Sequence, residues 1–159
     1  MEAMQKIKCL TIEDSNFPDR LRKLSGMPKK LYYIGNLPDP KKPAAAVVGA
    51  RMCSPYGRCQ AFKYARTMAS YGVQIISGMA RGIDAEGHKG ALDTDTPTFA
   101  VLGSGVDVCY PNSNRWLYQR ILEKGGGIIS ELPPGSPPVN WAVPARKAPW
   151  IPSRCSQAR

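Results

Sequence analysis

The sequence predicts a parallel, doubly wound α/β sheet, and three observations carry that expectation. Four short apolar runs alternate with three helix-period segments between residues 44 and 132. The runs lack the polar alternation of a half-exposed strand, as strands buried on both faces do. They also close on small residues, chiefly glycine, where a parallel strand turns into its helix.

Taken in order, the elements follow from local chemistry. Residues 1–43 are too few to bury a core alone and are expected to pack as a leader on the α/β core. Ala44-Ala45-Ala46-Val47-Val48-Gly49 is the first core strand. Ser54-Pro55 then supplies an N-cap with proline at the first helical position. Ala61, Phe62, Ala65, Met68 and Ala69 recur at helical spacing, Arg58, Lys63, Arg66 and Ser70 take the other face, and Gly72 stops the helix. Val73-Gln74-Ile75-Ile76-Ser77-Gly78 is the second strand, and Asp84 is expected to cap a short helix through Leu92. Phe99-Ala100-Val101-Leu102-Gly103 is the third strand. Asn112 or Ser113 opens a helix that ends at Gly125, and Ile128-Ile129-Ser130-Glu131-Leu132 is the fourth strand. Residues 133–159 hold seven of the fifteen prolines, four basic side chains and no acid, and read as an irregular basic tail.

Composition narrows the function. Forty-three per cent apolar residues suits a globular chain rather than a disordered one. A net charge of +10 makes a polyanion the first partner to test. No apolar run approaches the roughly 18 residues of a spanning helix, so a helical membrane protein is not expected. The first 25 residues carry no signal-type apolar segment, and Glu13, Asp14 and Asp19 interrupt any such reading, so a cytoplasmic protein is expected. Five cysteines (Cys9, Cys53, Cys59, Cys109, Cys155) form no C-x-x-C pair, and His88 has no ligand-spaced neighbour. Free thiols, and neither a metal nor another cofactor, are the expectation.

Three glycine-bearing loops follow successive strands, at Gly49-Ala50-Arg51, at Ser77-Gly78-Met79-Ala80-Arg81-Gly82 and at Gly103-Ser104-Gly105. A parallel sheet brings all three to one edge, where glycines let backbone N–H groups approach an anion. Arg51 and Arg81 would add guanidinium forks suited to phosphate at the same rim. The dinucleotide fingerprint G-x-G-x-x-G is absent after the first strand, no acid closes the second strand to hold a ribose, and no Walker A pattern occurs. No nucleophile or general base is gathered around the loops, and His88 is expected to be a packed, hydrogen-bonding residue.

Three ordered motifs run 47-VVGAR-x-x-SPYG-57, 77-SGMARGIDA-x-x-H-x-GAL-92 and 100-AVLGSGVD-x-x-YP-x-x-NR-115. Together they resemble the bacterial DNA-processing protein A (Smf) family, as do Phe17-Pro18, Leu31-Tyr32-Tyr33-Ile34-Gly35-Asn36 and Ser130-Glu131-Leu132-Pro133-Pro134-Gly135. The resemblance covers roughly residues 10–146. It implies a Rossmann-like fold, a non-enzymatic role in binding single-stranded DNA during natural transformation, and delivery of that DNA to the RecA recombinase. Arg51 matches the arginine of the family's G-S-R motif, with Ala50 in place of serine, and Arg81 matches the basic residue of its S-G-x-A-x-G-I-D loop. The expected nucleic-acid-binding set is Gly49, Ala50, Arg51, Ser77, Gly78, Arg81, Gly82, Gly103, Ser104, Trp141 and Arg146, with Tyr56, Trp141 and Trp150 as candidate stacking platforms. After Arg146 the family pattern is lost, and Pro149 and Pro152 oppose the helix that would come next. The sheet is therefore expected to be incomplete at its C-terminal side, without the family's homodimer and RecA-contacting surfaces. Two other readings of the same rim stay open. One is a nucleotide phosphoribohydrolase of a related Rossmann-like family, although its P-G-G-x-G-T segment is absent. The other is a small-nucleotide sensor.

Overall fold

A computed structural model describes residues 6–23, 26 and 28–139. Its strands are β1 (Lys8–Thr11), β2 (Lys30–Gly35), β3 (Ala44–Ala46), β4 (Gln74–Ser77), β5 (Thr98–Leu102) and β6 (Gly127–Ser130). The helices are α1 (Asp19–Arg22), α2 (Pro55–Ser70), α3 (Ile83–Leu92) and α4 (Arg115–Glu123), the last entered through a 3-10 turn at Asn112–Asn114. The four apolar runs of the core become the parallel strands β3 to β6, and the chain adopts the expected Rossmann-like α/β class.

The sheet order is β1-β2-β6-β5-β4-β3. Among the described residues the parallel strands step in one direction in chain order, so right-handed crossovers carry α2, α3 and α4 to the same face. The side chains agree. Ala100, Leu102 and Ile128 pack with Ala85, Leu117 and Ile121 of α3 and α4, while Ile75 meets Ala65, Ala69 and Ala91 of α2 and α3. The alternate positions Ile76, Phe99, Val101 and Ile129 point the other way. There they meet Phe17, Leu21 and Leu31 from the N-terminal segment.

That segment, expected only to pack on the core, supplies two of the sheet's strands. Antiparallel β2 joins the free edge of β6, with Tyr32 opposite Ser130 and Ile34 opposite Ile128, and β1 joins β2. The signal was present in Leu31-Tyr32-Tyr33-Ile34-Gly35, a run of aliphatic and aromatic residues closed by glycine. No described helix is long and apolar enough to cross a membrane.

Local rules account for the helix ends. The Ser54 hydroxyl accepts from the Gly57 N–H at 3.1 Å, Pro55 takes the first helical position, and Gly72 follows the helix at φ +79°. Helices α2 and α3 approach closely because small residues face each other across their contact. A Cβ on Gly90 would lie 2.3 Å from the Phe62 carbonyl oxygen, which belongs to the α2 backbone and cannot swing aside. Gly90→Ala is therefore expected to destabilise the domain by about 1–3 kcal/mol, read as a lower urea midpoint.

Candidate nucleic-acid interface

The loops after β3, β4 and β5 do meet at one edge, and their contacts explain their glycines in more detail than the sequence could. A Cβ on Gly49 would come within 2.8 Å of Ile83, and one on Gly82 would come within 2.3 Å of the Ala50 carbonyl oxygen. Gly82 also sits at φ +81°, a left-handed conformation that favours glycine. Ile83 N–H donates to Ala50 O at 3.2 Å, so the first and second loops interlock through backbone.

Asp84 corrects an expectation. It does not cap its helix, since Gly82 holds the N-cap position and no side-chain cap bond forms there. Its carboxylate is buried and accepts from Gly49 N–H at 3.3 Å and from Gly78 N–H at 3.2 Å. The anion received by these two amides is thus one of the chain's own carboxylates, and neither N–H points outward to a ligand as the loop pattern led one to expect. His88, one helical turn on and wholly buried, pairs with the other end of the same residue. Its Nε2 lies 2.9 Å from Gly78 O and its Nδ1 2.8 Å from Thr98 Oγ1. Helix α3 therefore grips the Gly78 backbone on both its N–H and C=O sides. Ser77 is buried and donates its hydroxyl to Val47 O, so Ser77 and Gly78 belong to the floor beneath the rim.

Above that floor is an open cavity of about 520 Å³. Arg51 and Arg81 both line it, with Gly103 and Ser104 behind them and Met52 and Tyr110 at its mouth. Both arginines are exposed. Arg81 Nε donates to Ser113 Oγ at 3.3 Å, and Ser113 lines the same cavity. Arg51 has no ion-pair or hydrogen-bond partner for its guanidinium among the described residues. Ser104 is buried, and its hydroxyl donates to Val108 O at 2.8 Å. Behind the third loop, the Tyr118 hydroxyl donates to Val106 O at 2.6 Å, and burial pushes the pKa of that phenol up to about 12.

Residues 133–139, expected as the start of an irregular tail, are bonded to the third loop. Val139 N–H donates to Gly103 O at 2.8 Å, Gly105 N–H to Ser136 O at 2.9 Å, and Gly135 N–H to the Asp107 carboxylate at 2.8 Å. Pro138 and Val139 thereby form one wall of the cavity.

Of the sequence-derived set, Arg51, Arg81, Gly103 and Ser104 are brought to the cavity, and Gly49, Ala50 and Gly82 form the joint beside it. Trp141, Arg146 and Trp150 lie outside the described residues. Met52 and Tyr110 escaped the sequence reading, although the large exposed surface of Met52, 96% accessible, is the clearest solvent-facing apolar group of the rim. Met52 is signalled only as a bulky residue in a loop, whereas Tyr110 stands in the third motif but was not singled out as a site residue.

The sheet order, and a strand-end cavity lined by two exposed arginines, place the chain among Rossmann-like α/β proteins. Comparison with known proteins makes the assignment particular. Residues 8–148 match the DNA recombination-mediator protein A family, and the chain belongs to it. Protein Smf of Borreliella burgdorferi is 38% identical over 81% of this chain and 41% of its own length. The DNA processing protein DprA of Streptococcus pneumoniae is 38% identical over 89% of this chain and 50% of its own. Its X-ray structure superposes with a TM-score of 0.75 at 37% identity, covering 86% of this chain and 47% of that one. A structure of DNA processing protein A from Helicobacter pylori, described for its unique single-stranded DNA binding mode, gives a TM-score of 0.72 at 29% identity, over 88% of this chain and 62% of that one. The chain spans half or less of the length of the first two curated relatives.

Proposed function

We propose that this chain binds single-stranded DNA without sequence preference, with Arg51 and Arg81 each neutralising a phosphate at the strand-end rim. The observation that carries the reading is the placement of both guanidinium groups on one open cavity whose mouth also holds Met52 and Tyr110. Phosphates pair with the arginines, while the flat and apolar groups accept base faces, a combination that follows a strand whatever its sequence. The net charge of +10 supports it through attraction of the backbone. So does the family membership, together with the single-stranded DNA binding described for the Helicobacter pylori relative. Delivery of the strand to RecA in natural transformation extends the same reading, and it puts the protein in the cytoplasm.

The reading is of a binder rather than an enzyme. What supports this is the make-up of the described cavity lining, two arginines among mainly apolar side chains, with the Ser104 hydroxyl committed to Val108 O and the Ser113 hydroxyl accepting from Arg81. Titration with fluorescent oligo-dT in the presence of nucleoside monophosphates tests this directly. Tight oligonucleotide binding that mononucleotides fail to displace is expected. Displacement by a mononucleotide at comparable concentration would instead mark a small-nucleotide sensor, and release of free base on chromatography a phosphoribohydrolase.

A further inference from the structure

Apart from Trp116, every large hydrophobic side chain left exposed among the described residues lies at the rim or along α2. Val48, Met52 and Tyr110 belong to the strand-end loops, and Tyr56, Tyr64 and Tyr71 to α2 and its C-cap. The three tyrosines are 74%, 66% and 82% accessible, unusually open for side chains of their size. At 100° per residue, Tyr56, Lys63, Tyr64 and Tyr71 fall within an arc of roughly 100°, opposite the buried Ala61, Ala65 and Ala69.

Charge along this helix has one sign. Pro55–Ser70 holds Arg58, Lys63 and Arg66 and no acidic residue. Arg66 is paired with Asp93, at 2.5 Å, whereas Lys63 has no ion-pair partner among the described residues. The helix is capped by Ser54, three residues beyond Arg51, so it starts directly from the loop that carries that rim arginine. From Tyr56 to Tyr71 it extends for about 22 Å at the usual helical rise.

From this arrangement we infer that the outer face of α2, Tyr56 through Lys63 and Tyr64 to Tyr71, is a second contact surface for single-stranded DNA that receives the strand as it leaves the rim. The inference rests on the reading of the rim as a single-strand site. Spaced aromatic faces with an interleaved cation, Lys63, and no acidic residue on the helix are what a flexible polyanion with exposed bases needs. A duplex, whose bases are stacked inward, would gain nothing from the tyrosines.

The test compares oligo-dT of roughly 6 and roughly 20 nucleotides, the first long enough for a rim alone and the second able to reach along the helix. Lys63→Ala with Tyr64→Ala, and separately Tyr71→Ala, are expected to weaken binding of the long oligonucleotide about five-fold or more while leaving the short one unchanged. Photo-crosslinking with bromodeoxyuridine-containing strands should mark Tyr64 or Tyr71 in the long complex only. Wild-type affinity of these variants for the long strand, with Arg51→Ala still losing affinity, would overturn the helix surface and leave the rim intact. No binding of either oligonucleotide to the wild-type chain would overturn both together. A wild-type dimer in light scattering that the α2 variants dissociate, without any change in DNA affinity, would make this face a contact between copies and reject the inference.

Discussion

Arg51→Ala and Arg81→Ala are each expected to weaken oligo-dT binding and to flatten its salt dependence. On single strands, each phosphate neutralised contributes about −0.7 to the slope of log affinity against log salt. Loss of either arginine should remove roughly that amount, and loss of both about twice as much. The effect should be the same for all base sequences, because backbone contacts carry no base identity. Lysine should serve better at position 81 than at position 51. Arg81 already commits its Nε to Ser113 at 3.3 Å, which leaves less of its fork for a ligand, while Arg51, unpartnered among the described residues, can spend its whole fork there. Arg120→Ala is the control, since Arg120 sits in the last turn of α4 and pairs with Glu123 at 3.0 Å. Wild-type affinity and slope in both rim variants would remove the rim as the DNA site.

Asp84→Ala should damage both folding and binding. The substitution strips the carboxylate acceptor from Gly49 N–H and from the buried Gly78 N–H. The expected loss is about 2–3 kcal/mol, measured by urea unfolding, with the buried Gly78 amide carrying most of it. Because the same carboxylate ties the first loop to the second, oligo-dT affinity should also fall at urea-free conditions where the variant remains folded. Asp84→Asn retains one oxygen but turns an amide donor toward the other N–H, and should fall between the alanine variant and the wild type. An alanine variant as stable as the wild type would mean that water satisfies both amides and that the carboxylate does not hold the loops.

The parallel core was legible because its chemistry is local. Apolar runs closed by glycine, and a serine followed by proline, state strand, turn and helix start within a few residues. The described core strands β3 to β6 and helices α2 to α4 fall where those signals stand. What escaped was non-local. β2 owes its place to β6, a partner far along the chain, and nothing around Lys30 announces which edge it will join. Asp84 was misread for a related reason. An acid at the start of a helix looks like a cap, and only the approach of two separate loops shows that it serves their amides instead.

The site divides in the same way. Arg51 and Arg81 stood out because two successive strand-end loops each carry an arginine, and both line the cavity. The glycines of those loops were visible too, but their reason was not. Gly49 and Gly82 are required by the close approach of Ile83 and of the Ala50 carbonyl, a demand set by the neighbouring loop rather than by a ligand. Tyr110 and Met52 reach the mouth through loop geometry that no periodicity encodes.

The placement of β2 has a consequence for how the chain reaches its native state. Register pairs Tyr32 with Ser130, so β2, made before the parallel strands, can take its place only after β6, the last described strand, has been made. β3, β4 and β5 can assemble through neighbouring crossovers at small loop-closure cost, whereas seating β2 closes a very long loop and belongs late in folding. Until then one edge of β6 stays bare, and the apolar side chains of Ile76, Phe99, Val101 and Ile129 lack the cover of Phe17 and Leu21. Such an intermediate would offer both a strand edge and an oily face to other nascent chains. The N-terminal segment therefore acts as a tethered shield, bringing the missing strand and the missing layer in a single docking event.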